Sequence, residues 1–145
     1  MLKKIKLLRK AFLTNFLQLH YSQFGEDIIL HEILKKDISS GFYVDVGCFH
    51  PKKFSNTYAL FKKGWSGINI DMEEDKIALF NMLRPNDLNV LAPISDREEE
   101  VTLYRFSKYG YGSTIDKKIA SETIDPLYDK TIVKATTLNK IIDES

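Results

Sequence analysis

Two short apolar runs, "FYVDV" at 42–46 and "GINID" at 67–71, stand on either side of "SNTYALFKKG", and that spacing constrains the fold more than any other feature of the chain. The first run is bounded by glycines at 41 and 47, as suits a buried strand. Between the runs, Ser55 offers a hydroxyl to the orphan amides of a helix start, while Lys62 and Lys63 suit a helix's negative end. Gly64 suits the left-handed position that closes such a helix. Strand, helix and strand together fill about 30 residues, the usual size of a right-handed βαβ unit.

The pattern then repeats. In "MEEDKIALFNMLRP", Glu73, Glu74 and Asp75 load a first helical turn with negative charge, Ile77, Leu79, Phe80 and Leu83 supply apolar positions, and Pro85 ends the helix. "LNVLAPIS", from Leu88 to Ser95, reads as a third strand in which Pro93 marks an edge or an early end. Upstream, Ile28, Ile29, Ile33 and Leu34 repeat at helical spacing within 23–36. Downstream, Val101 to Phe106 alternates like an arm of an antiparallel hairpin, and "SKYGYGSTID" is the most loop-like segment. Ile132 to Ala135 reads as another strand, and Thr137 as the cap of a last helix, "LNKIIDE". The expected class is α/β, a Rossmann-like sheet in one domain, for which 145 residues provide a single core.

A net charge of +1 gives no overall pull toward nucleic acid. The charge is nevertheless uneven: no acidic residue precedes Glu26, while Lys3, Lys4, Lys6, Arg9 and Lys10 lie in the first ten positions. Arg9, Lys10 and Asn15 break up the apolar positions there, so no signal-peptide core forms, and no run approaches the roughly 20 apolar residues of a membrane span. Leu7, Leu8, Ala11, Phe12, Phe16 and Leu19 fall at helical spacing. Residues 1–20 are therefore expected to form a basic amphipathic helix, lying either on the domain or on a membrane surface. The lone Cys48 excludes an internal disulfide and favours a reducing compartment. A cytoplasmic placement follows, at the inner face of the membrane if the helix binds there.

In an open α/β sheet, ligands bind at the carboxyl ends of the strands, which puts the turn from Gly47 to Pro51 at the expected pocket. A dinucleotide fingerprint needs three glycines, whereas Gly47 is followed by none before Gly64, and Cys48, Phe49 and His50 would crowd a pyrophosphate. A nucleoside without phosphates asks for less. S-adenosylmethionine needs a tight turn beneath it, an acidic acceptor for its ribose hydroxyls and polar groups near its adenine. Asp71, 24 residues after Gly47, stands where the ribose acceptor belongs. Ser95 and Asp96 could edge the adenine, and Asp45 could face the methionine ammonium group. Each has a structural use as well: Gly47 as a strand-ending turn, Asp71 as a helix cap, Asp96 as a turn residue. Asp45, between Val44 and Val46, fits a purely structural role less easily, because an unpaired buried carboxylate is costly. His50 is the histidine placed to take a proton from an acceptor hydroxyl, though it also suits packing on the following helix. No histidine, cysteine and carboxylate cluster has metal-ligand spacing.

"SQFGEDIIL", "FYVDVGCFHPKKFSNTYALFKKGWSGINID", "LFNMLRPNDLNVLAPISDREEEVTLYRF" and "VKATTLNKII" together resemble the FkbM-type methyltransferases in order and spacing, over 21–142. The resemblance implies a Rossmann-like fold, S-adenosylmethionine as cofactor, and O-methylation of a hydroxyl on a sugar, glycan or related small molecule. It implies Asp45 and Gly47 at the cofactor loop, Asp71 at the ribose, Ser95 and Asp96 near adenine, and Gln23, Glu26 and Asn56 on the pocket wall. Cys48 stands where the family commonly has alanine. Family members continue past "TTLNKII" into a strand reading like "IDFLKIDVEG", so residues 21–145 correspond to a methyltransferase domain shortened at its C-terminal side. Two expectations follow from that. The opening strand becomes a bare edge able to pair with another chain. The alternative to an active enzyme is a catalytically inactive binding or assembly module.

Overall fold

The computed structural model describes residues 2–12, 19–34, 39–108 and 111–145, with side chains left aside at 10–12. Helix α1 (Leu2–Phe12) comes first, and α2 (Glu26–Ile33) follows Gly25, whose φ of 90° turns the chain into it. The expected continuation of α2 through Lys35 and Lys36, and Phe16 of the basic segment, lie outside the described residues. Then come β1 (Phe42–Val46), α3 (Tyr58–Phe61), β2 (Ser66–Asp71), α4 (Glu74–Leu83) and β3 (Leu88–Leu91). The three strands form a parallel sheet in the order β1-β2-β3, with Val44 beside Ile68 and Ile70 beside Val90. A second, antiparallel sheet joins β4 (Glu99–Arg105) to β5 (Asp129–Ala135), with α5 (Lys117–Glu122) between them and α6 (Leu138–Asp143) after them.

The two-residue period of the strands sorts their side chains. Tyr43, Asp45, Gly67, Asn69 and Asp71 share one face, beneath α4, whose Ile77 and Phe80 pack with Cys48. Gly67 has to be glycine: a Cβ there would stand 2.2 Å from the Tyr43 carbonyl oxygen and 2.4 Å from its ring. Ile68 and Ile70 lie on the opposite face and pack against Ile141 of α6, with Val90, Ile94 and Leu138 around them. That cover stops short of β1, where Phe42, Val44 and Val46 are 59, 38 and 51 % exposed.

The helix of the first βαβ unit is a single turn. Ser55 does accept from the Tyr58 amide at 3.1 Å, and Gly64 closes the segment at φ 90°. The preceding loop instead dips into the interior, where Ser55 and Thr57 are buried. β3 ends at Leu91, ahead of Pro93, which has no amide to donate. The chain then runs alongside the end of β5: Thr136 donates to the Pro93 carbonyl at 3.1 Å, and Ser95 donates to the Thr136 carbonyl at 2.9 Å. α5 has no counterpart among the expected elements. Asp116 caps it, accepting from the amides of Lys118 and Ile119 at 2.7 and 3.2 Å. Thr137 caps α6 as expected, accepting from Lys140 at 3.2 Å. Among the described residues, no helix is long and apolar enough to cross a membrane.

Candidate functional site

A cleft of about 380 Å³ opens at the carboxyl ends of β1, β2 and β3, within the size range of small-ligand sites. Its floor is the turn after β1. Gly47, at φ 74°, lets the chain bend so that the amides of Gly47 and Cys48 both donate to the Ile70 carbonyl, at 2.8 and 3.1 Å. No heavy atom lies within 4 Å of the place a Gly47 Cβ would occupy, so bare backbone faces the opening. Asp71, one residue beyond the β1–β2 register, borders the same space.

Asp71 is buried and well supplied with donors. It accepts from the amides of Phe49 and Glu73, each at 3.0 Å, and the Lys76 ammonium group stands 3.4 Å from its oxygens. A carboxylate has about four acceptor positions, so most are occupied. The first of these bonds holds Phe49 at φ 56°, a left-handed conformation uncommon for a bulky residue. The Phe49 ring then meets Tyr111 at a centroid distance of 4.9 Å and carries the Lys76 ammonium group 4.8 Å above its face. Met72, Ala92, Pro93 and Ile94 make an apolar wall. The rim at 111–115 is tied to the start of α4 through Glu73, which accepts from Ser113 at 2.6 Å and from Arg105 at 2.8 Å.

Of the expected cofactor residues, the structure brings Gly47 and Asp71 together at this cleft, and the others sit outside its lining. Asp45 turns toward α3 and accepts from the Thr57 hydroxyl at 2.8 Å; burial holds its carboxyl above the usual aspartate range. Ser95 bonds its neighbour Asp96 at 3.3 Å and Glu99 at 3.2 Å, so the apolar stretch just before it occupies the wall where polar contacts were expected. Gln23 and Asn56 are exposed. Glu26 accepts from the Phe24 amide at 2.8 Å, and backbone hydrogen bonds, its own amide's first, draw its carboxyl below the ordinary value.

His50 does not meet the requirement for a base. Its Nδ1 accepts from the amides of both Lys52 and Lys53 at 3.0 Å. Burial, then the charges of Lys53 and Arg84, push the imidazole below its ordinary value. With two amides directed at it, Nδ1 is not open to take a proton from an acceptor hydroxyl. The Cys48 thiol is buried and pushed far up, first by burial and then by Asp71 and Asp45, so it is inert. Tyr109 and Gly110 of the loop expected at 107–116 lie outside the described residues, and among those described no cluster of His, Cys, Asp and Glu could hold a metal ion.

Behind the cleft lies a polar interior that the sequence reading missed. Arg84, the residue after α4, is fully buried. Its guanidinium donates to the Pro51 carbonyl from both Nε and Nη2, to Thr57 at 2.9 Å, to Ser55 at 3.0 Å, to Tyr43 at 3.2 Å and to Asn69 at 3.4 Å. Three of those acceptors pass the polarity on: Tyr43 donates to Asp87 at 2.5 Å, Asn69 to Asp87 at 3.0 Å, and Thr57 to Asp45 at 2.8 Å. The rings of Phe80 and Phe61 lie 5.0 and 5.1 Å from the guanidinium carbon. In sequence, Pro85 marks only the end of a helix, and no spacing signal marks Arg84 as buried. Set against known family models, curated proteins and solved structures, the chain matches none.

Proposed function

We propose that the chain binds S-adenosylmethionine in this cleft and is a Rossmann-like, FkbM-type methyltransferase acting on a hydroxyl of a sugar or related small molecule. The observation that carries the reading is the meeting of Gly47 and Asp71 at the carboxyl ends of three parallel strands. The motif resemblance over 21–142 gives the activity its name. The residues present fit the ligand's chemistry. Bare backbone at Gly47 admits a close approach, Asp71 is an acidic acceptor, and the apolar wall with Phe49 and Tyr111 offers flat surfaces to a base. When bound, the cofactor supplies an electrophilic methyl group. The chain's part is to hold that group in line with the acceptor, which in ideal cases supplies roughly 7–11 kcal/mol of the acceleration. For Asp71 to receive ribose hydroxyls, the Lys76 ammonium group moves aside, since it occupies part of the carboxylate.

Calorimetric titration of S-adenosylmethionine and S-adenosylhomocysteine into the folded chain tests this. Saturable binding is expected, weakened about tenfold by Asp71→Asn through loss of a charged acceptor. A folded chain that gives no heat ends the reading. The open edge and exposed apolar face of β1 favour a second one, a non-catalytic assembly module. That module would associate with itself or a partner and ignore the nucleoside.

A further inference from the structure

We propose that α1 is a docking helix for anionic membrane surfaces. Every described side chain from Leu2 to Arg9 is exposed, with Leu2 and Leu7 at 80 and 62 %, so the domain does not cover this helix. At 3.6 residues per turn, Leu2, Ile5 and Leu8 fall within about 120° of arc, which Arg9 shares between Ile5 and Leu2. Lys6 and Lys3 follow on the next part of the circumference, and Leu7 lies beyond them. Five of the 21 basic residues lie in the first ten positions and none of the 20 acidic ones, which leaves the rest of the chain net negative. An anionic surface therefore attracts this segment and repels the remainder, so the helix makes the contact. A short apolar stripe and a basic cluster are each weak anchors, and the two together suffice for reversible binding in the plane of the interface. The 11 described residues of α1 are far too few to span a bilayer. A nucleic acid would use the same charges but has no need of the stripe.

The test is co-sedimentation of the full chain with vesicles of phosphatidylcholine containing phosphatidylserine, against phosphatidylcholine alone. At low salt, binding to the anionic vesicles is expected to be at least about tenfold tighter, and to weaken as salt is raised. Lys3→Gln/Lys4→Gln/Lys6→Gln and Ile5→Ser/Leu8→Ser are each expected to lower it about tenfold. Lys117→Gln/Lys118→Gln, on the exposed α5, should leave it unchanged. All the substituted side chains are exposed, and an unchanged thermal melt confirms folding. Equal binding to both vesicle types overturns the proposal. So does full binding by the serine variant, which would mean bare charge attraction of the kind a nucleic acid shares, or an equal loss in the α5 control.

Discussion

Arg84 carries a full charge into the interior, and the way it is satisfied tells what its replacement will do. Its partners are neutral oxygens, and Tyr43, Asn69 and Thr57 stand between it and the carboxylates of Asp87 and Asp45. Arg84→Met removes the donors and strands those acceptors. Breaking a buried charge network of this kind costs roughly 3–5 kcal/mol. For a chain of this size that lowers Tm by about 10 °C or more, read by calorimetry. Asp45 behaves differently. Burial raises its carboxyl in the folded state, so the folded chain keeps a proton that the unfolded chain has already lost. Its stabilising contribution is complete at acid pH and disappears as pH rises through the raised value. Asp45→Asn should accordingly melt higher than the natural chain at neutral pH, and the gap should close on acidification below the ordinary aspartate range.

At the scale of elements, β1 was legible to the residue because glycines bound it and its apolar run is short. α4 and β3 were legible because acidic residues open the one and prolines follow both. The short α3 and the place of Asp45 were not legible, for a common reason. Local signals put Ser55 at a helix start, while Arg84, 27 positions after Thr57, draws the hydroxyls of both Ser55 and Thr57 inward. Long-range polar pairing leaves no periodic trace. The cleft's floor could be read from the end of each strand, but its rim depends on Glu73 reaching Arg105 and Ser113, a contact between segments that sequence spacing does not join. Glu73→Gln removes one charge from that latch. Faster amide hydrogen exchange is expected across 111–115, with β1 and β2 unchanged, and an equal rate in the natural and variant chains would show the rim is held by other means.

In the molecule as a whole, burial is lopsided. α6 shields β2 and β3, while β1 keeps a row of three large apolar side chains in the open at the edge of the sheet. An edge of that kind pairs readily with another chain. Sedimentation velocity should show association that grows with concentration, and Phe42→Lys should suppress it with little change in Tm, because Phe42, at 59 % exposed, has the least cover of the three to lose. The same wide span of the Arg84 contacts bears on how the protein is made. Tyr43 and Arg84 are 41 positions apart, so a nascent chain cannot seal its interior while Arg84 and Asp87 are still inside the ribosome. Protease added to stalled translation products should digest the emerged strands freely until those residues have cleared the exit tunnel, and should meet abrupt resistance afterwards.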